Sequence, residues 1–217
     1  MGELKTTSVS ENSIFWDNSN IQVFWGEIAP CDHLVQIYEN DIIFLNTLEG
    51  FVGDGFIKNE SVIVIATPEH IHNLNMRLIN QGFDIDALKV TDQFILMDAS
   101  DAAAEFMISD WPDEALFTSF VSSLFARAQS GNRKVRVFGE IVSVLWHQGH
   151  TGATVQLENL WHRLQHENRF CLYCAYPKSG FTQDSNASLE KICNAHSKVI
   201  DGETRPSTEV YYINVRA

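Results

Sequence analysis

The run SVIVIA at residues 61–66 constrains this chain more than any other stretch. It offers no polar face, and four of its residues are β-branched. Such a run suits a strand buried on both sides, as in a parallel sheet covered by helices. Helix signals follow at once: Thr67 as N-cap, Pro68 in the first position, Glu69 in the first turn, and Gly82 just past the end. Ile71, Leu74 and Leu78 share one face of that helix at 3.6-residue spacing.

The same alternation recurs along the chain. HLVQIY (33–38) reads as a strand followed by a helix from about 40 to 52. FILMD (94–98) is a third strand. After Trp111-Pro112 comes a helix with Phe117, Phe120, Val121 and Leu124 on one stripe. KVRVFG (134–139) is a strand that leads into the helical EIVSVLW. Residues 152–166 form a helix whose apolar face is Ala153, Leu157, Leu160, Trp161 and Leu164, and FCLYCAY (170–176) is a fifth strand. A short helix near 187–196 and a last strand, EVYYINV, complete the order. Strands separated by helices predict an α/β fold, a mainly parallel sheet with helices on both faces. The expected organisation is a single domain over 31–217, preceded by an extension at 1–30. In that extension two aromatic runs around Asp17-Asn18-Ser19-Asn20 suggest a hairpin carrying Trp16 and Trp25.

The net charge is −13, and it is uneven. Residues 1–60 hold ten acidic side chains against Lys5 and Lys58, a surface that repels phosphate backbones and argues against direct nucleic-acid binding. No apolar run approaches the roughly 18 residues of a membrane span, and the first residues lack the pattern of a signal peptide. The four cysteines show no secreted framework, so a reduced cytoplasmic setting is expected.

Chemistry-bearing motifs are few. A phosphate loop needs glycine-exposed backbone N–H groups and a lysine. Residues 66–73 contain neither, and Glu69 would repel a phosphate at that helix end. Gly53-Asp54-Gly55 reads as a turn. His70 and His72 point about 200° apart on a helix and cannot chelate together. Glu158, His162 and His166 have i, i+4 spacing but lie opposite the apolar stripe, on a face expected to be solvated. No spacing brings three or four metal ligands together, so neither a metal nor a cofactor is expected. Cys171 and Cys174 fall inside a strand, project to opposite faces and read as buried thiols. No nucleophile elbow is present. What remains is positional, because open α/β sheets bind ligands beyond the carboxyl ends of their strands. Those ends carry Tyr38, Thr67 with His70 behind it, Asp98, Glu140 and Tyr176, and these six are the candidate ligand-binding residues.

The block 136–177 resembles the MEDS family, a sensory domain named for regulators in methanogens and methylotrophs. The matching residues include Arg136, Phe138, Gly139, Glu140, Trp146, Glu158, Trp161, Cys174 and Tyr176. His33 and Tyr38 match the family's opening motif, with Val35 where a cysteine is usual. The resemblance covers roughly residues 31–182. It implies a RecA/KaiC-like three-layer fold that lacks a working phosphate loop, and a sensory module rather than an enzyme. The implied partners are a small molecule and a signalling protein in trans, a histidine kinase or transcription regulator, or a second copy of the chain. Glu140 would accept hydrogen bonds from a ligand or from His70. His33 is expected to be structural, and Trp146 and Trp161 to be core. The rival readings are a diverged KaiC-like nucleotide-binding protein or ATPase, and an interaction scaffold docking through residues 1–30.

Overall fold

Residues 61–66 form a strand with two parallel neighbours and no accessible face. The computed structural model describes residues 32–180, 196 and 198–202. Its main sheet contains β1 (His33–Tyr38), β2 (Ser61–Ala66), β3 (Phe94–Asp98), β6 (Val135–Gly139), β7 (Cys171–Pro177) and β8 (Lys198–Gly202). The order is β3-β2-β6-β7-β1-β8, and every pairing is parallel. β4 (Met107–Ile108) and β5 (Trp111–Pro112) form a separate antiparallel ribbon. The hairpin proposed for residues 1–30, the helix near 187–196 and the strand EVYYINV lie outside the described residues, apart from His196. β8 was not anticipated in the sequence.

Strands β1, β2, β3, β6 and β7 divide their side chains between two cores. Val62, Val64, Leu34, Phe138 and Tyr173 face α1 (Asp41–Ile57), α2 (Pro68–Asn80) and α3 (Ile85–Val90). Ile63, Ile65, Val35, Val137, Leu172, Cys174 and Tyr176 face the other way. That second side is covered by α4 (Ala99–Ala104), α5 (Glu114–Ala128), α6 (Ile141–His147) and α7 (Thr151–Asn168). Burying each Val or Ile contributes about 1.5–3 kcal/mol, so a run apolar on both sides is held inside the sheet with helices over both faces. The two tryptophans anticipated as core are buried, Trp146 on α6 and Trp161 edge-on to Phe117.

Two local expectations need correction. Gly53-Asp54-Gly55 lies inside α1, which runs on to Ile57. A Cβ on Gly55 would stand 2.8 Å from Val62 Cγ2, so the glycine serves close helix–sheet packing. Asp54, one residue earlier, joins Glu60 around the buried Arg136. That guanidinium pairs with Asp54 at 2.6 Å, with Glu60, and donates to the Phe51 carbonyl at 3.1 Å. The charge is therefore paired and hydrogen-bonded where it is desolvated.

The topology also sets a switch point at the carboxyl ends of the strands. β1→β2→β3 travels towards one edge with α1, α2 and α3 on the first face. β3→β6→β7 returns across the second face with α4 to α7. β2 and β6 are neighbours whose outgoing connections leave to opposite faces, which is the switch point where α/β sheets take ligands.

Candidate functional site

At that switch point the strand ends of β2 and β6 bring Thr67, His70 and Glu140 together. The Glu140 backbone N–H donates to the Ile65 carbonyl at 2.9 Å, extending the β6–β2 ladder by one residue. Its carboxylate is thereby held beside the start of α2. The Thr67 backbone N–H donates to Glu140 Oε2 at 2.9 Å, and His70 Nδ1 donates to Oε1 at 2.7 Å. Both carboxylate oxygens are engaged, and the residue is buried. An internal anion therefore occupies the helix N-terminus that could hold a phosphate. Thr67 is the N-cap residue, yet its side chain makes no capping bond; Glu140 meets its N–H from the neighbouring strand end.

The rest of this cluster is aromatic and acidic. Phe44 stacks on Tyr38 at 4.7 Å and meets the His70 ring edge-on at 4.8 Å. Exposed Asp41 lies 4.0 Å from His70 Nε2. Burial pushes the Tyr38 phenol well above its ordinary range, with the Glu140 and Asp41 charges adding to the effect. For His70, burial opposes the charged form. The Glu140 hydrogen bond and the charges of Glu140, Asp41 and Glu69 outweigh it and raise the imidazole above its usual value. A second polar chain runs beneath on the same face: Tyr173 Oη donates to Gln36, and Gln36 Nε2 donates to Thr47 Oγ1 at 3.0 Å.

Two of the six candidate residues do not join this cluster. Asp98 ends β3 and caps α4, accepting from the Ser100 and Asp101 N–H groups at 2.7 and 3.0 Å. Its polarity is explained by capping. Tyr176 points to the opposite face because it keeps the parity of Cys174, and it is fully buried there.

Tyr176 leads instead to a cluster that no spacing signalled. Its hydroxyl donates to Glu158 Oε1. Glu158 is 3% exposed, which corrects the expectation of a solvated face; His162 and His166 are exposed as anticipated. Glu158 Oε2 lies 3.8 Å from His33 Nε2 and 3.5 Å from His196 Nε2, and it has no hydrogen-bond partner among the described residues. Cys174 Sγ is 3.8 Å from His33 Nε2. Donor atoms of His33, Glu158, Cys174 and His196 all lie within 4.8 Å of one another, and all four residues are buried. Four side chains of metal-ligating type thus converge at a place that no spacing in the sequence had signalled. Burial, and then the Glu158 charge, push the Cys174 thiol well up. The sequence signal available was parity: His33 on β1 and Cys174 and Tyr176 on β7 share a face, and α7 lies over it.

A depression lies elsewhere, at the amino ends of β6 and β7. It has a volume of about 630 Å³, and Lys58, Arg133, Lys134, Arg136 and Arg169 line it beside Glu60.

The parallel sheet and its helical layers form a RecA/KaiC-like α/β fold. The chain resembles a KaiC-like protein from the hyperthermophilic archaeon Pyrococcus horikoshii, with a TM-score of 0.56 at 9% identity, over 86% of this chain and 79% of that one. A second protein from the same archaeon is similar with a TM-score of 0.54 at 10% identity, over 91% of this chain and 98% of that one. At such identities the likeness is one of fold. Residues 32–197 match the MEDS family, described as the methanogen/methylotroph, DcmR sensory domain, and the chain belongs to that family. The match runs past residue 182 and takes in His196. None of the curated proteins compared with the chain matches it.

Proposed function

We propose that this chain is a non-catalytic sensory module. It receives a small neutral or cationic molecule, or a partner protein, at the β2/β6 crevice and signals through a protein in trans. The family's sensory role supports the class. The observation that carries the reading is Glu140: its carboxylate engages the Thr67 N–H and His70, so the seat an anion would use is filled from within. Exposed Asp41 and Glu69 add negative charge around the mouth and disfavour phosphates. His70, partly exposed and backed by the buried rings of Phe44 and Tyr38, is the aromatic group a small ligand would contact. The partner is a histidine kinase or transcription regulator, or a second copy of the chain. The setting is cytoplasmic. Among the described residues, no helix is long and apolar enough to cross a membrane.

Thermal melts test this. With ATP–Mg²⁺ in excess, no shift is expected. A nucleotide at about 100 times its dissociation constant would add about 2.7 kcal/mol, or roughly 5–11 °C for a domain this size; a rise of that order would make the chain a nucleotide-binding protein. In a screen of uncharged and cationic metabolites, a stabilising compound should lose its effect in His70→Gln. An unchanged response in that variant would remove the crevice as the binding site.

A further inference from the structure

The buried group on the second face has the composition and geometry of a metal centre. We propose that His33, Glu158, Cys174 and His196 bind a divalent transition-metal ion of the zinc type in a closed four-ligand site. The proposal is independent of whether the β2/β6 crevice takes a ligand.

The distances carry the first part of the argument. Zinc bonds to nitrogen, oxygen and sulfur of about 2.0–2.3 Å place neighbouring donors of a tetrahedron about 3.3–3.6 Å apart. The three separations here are 3.5 Å for His196 Nε2 to Glu158 Oε2, 3.8 Å for His33 Nε2 to the same oxygen, and 3.8 Å for Cys174 Sγ to His33 Nε2. All four donors fall within 4.8 Å. Each of these three separations is within about half an ångström of a tetrahedral edge, and the two nitrogen–oxygen distances are too long for good hydrogen bonds.

The second part is the unmet requirement of Glu158. Its Oε2 is buried with no hydrogen-bond partner among the described residues and lies near both Nε2 atoms. A buried carboxylate oxygen left so is costly unless it is paired or coordinates a metal. A divalent ion would meet that oxygen, and the negative charges of Glu158 and a Cys174 thiolate would neutralise the ion. Tyr176 supplies the outer shell. Its hydroxyl holds Glu158 Oε1, leaving Oε2 to face the centre, as supporting groups do in metal sites.

The donor set selects the ion. Two imidazoles and a thiol do not suit calcium or magnesium, which take oxygen ligands; nitrogen and sulfur suit zinc and its neighbours. Four protein ligands leave no open position, so the site is structural rather than catalytic. The ion would tie β1, β7 and α7 to the segment that carries His196 and leads into β8.

The test uses the full chain, stripped with a chelator and then titrated with Co²⁺ and Zn²⁺. Co²⁺ is expected to give the visible bands of a tetrahedral centre together with a thiolate-to-cobalt charge-transfer band, and Zn²⁺ should displace both and raise the melting temperature. Cys174→Ser should abolish the charge-transfer band. Glu158→Gln and His196→Ala should each weaken Zn²⁺ binding by more than about 100-fold, beyond the effect typical of outer-shell changes. His162→Ala, at an exposed neighbour on α7, should bind as the parent does. Far-ultraviolet circular dichroism of each metal-free variant identifies those that fold, and only these are compared. A folded parent with no charge-transfer band would overturn the site. So would unchanged Zn²⁺ affinity in folded Glu158→Gln and His196→Ala.

Discussion

Two buried glutamates on opposite faces of one sheet, Glu140 and Glu158, have nearly the same neighbours and different states. Each lies near a histidine and a tyrosine. Glu140 has both oxygens engaged, by the Thr67 N–H and by His70. Glu158 has one oxygen on the Tyr176 hydroxyl and the other facing two imidazoles beyond hydrogen-bond reach. The first is complete within the protein and works as an internal lock across the switch point. The second is complete only with an additional positive centre. A buried carboxylate therefore marks function less by its presence than by what its second oxygen lacks.

The comparison breaks first at Glu140. Glu140→Ala removes the charge that the Thr67 N–H and His70 were arranged to meet, and breaking a buried pair costs about 3–5 kcal/mol. The melting temperature should fall by roughly 6–20 °C. Glu158→Gln in metal-free protein keeps an acceptor for Tyr176 and loses no hydrogen bond at Oε2. Its cost should stay below about 1.5 kcal/mol, the scale of one hydrogen bond. Urea titrations of both variants without metal measure the difference. Equal losses would mean that Glu158 is as fully satisfied as Glu140, and the contrast between the two faces would fail.

A second difference lies in pH. The folded-state pKa of His70 is raised, with burial opposing and the Glu140 hydrogen bond and nearby carboxylates prevailing. A group raised in this sense stabilises the fold fully below its unfolded value of about 6.5, and the stabilisation is lost as pH rises through the higher folded value. Stability should therefore decline from about pH 6.5 upward in the parent protein. In His70→Gln that component should be absent, and in Glu140→Gln it should be weakened, because the neutral amide no longer favours the imidazolium. Denaturant midpoints across this range in the three proteins test it. A slope in His70→Gln equal to the parent's would assign the pH dependence elsewhere.

What was legible in the sequence followed local rules. SVIVIA announced a two-sided strand because burial on both faces removes alternation. Trp161 and its leucines announced the inner face of α7 by period. Glu140 was legible as a strand-end residue close to His70, since both follow neighbouring strands. Gly53 and Gly55 misled because glycine in a helix reads as a turn until the strand packed against it is known. Glu158 misled for a related reason. A helical wheel gives a direction but not what lies across from it, and here β1 and β7 lie across. The convergence of His33, Cys174 and His196 is non-local, set by β1 inserting beside β7, and no spacing within the chain encodes it. Tyr176 was placed at the strand mouth by counting to the strand's end, whereas side-chain parity turns it inward.

The smallest effect sharpens the boundary of the Glu140 site. Asp98 ends the strand beside β2, in register with Ala66, and is close enough in topology to be taken for part of the crevice. Its carboxylate is already committed to the Ser100 and Asp101 N–H groups. Asp98→Ala should cost about 1 kcal/mol, the usual value of an N-cap, seen as a fall of roughly 2–4 °C in melting temperature. Metal binding at Glu158 and any ligand response that depends on His70 should be unchanged in that variant. If the ligand response is lost while the fall in stability stays at that size, Asp98 contacts the ligand, and the site extends across β2 to the edge of the sheet. A stability loss alone confines it to β2, β6 and the start of α2, where Glu140 holds the two strands' connections together.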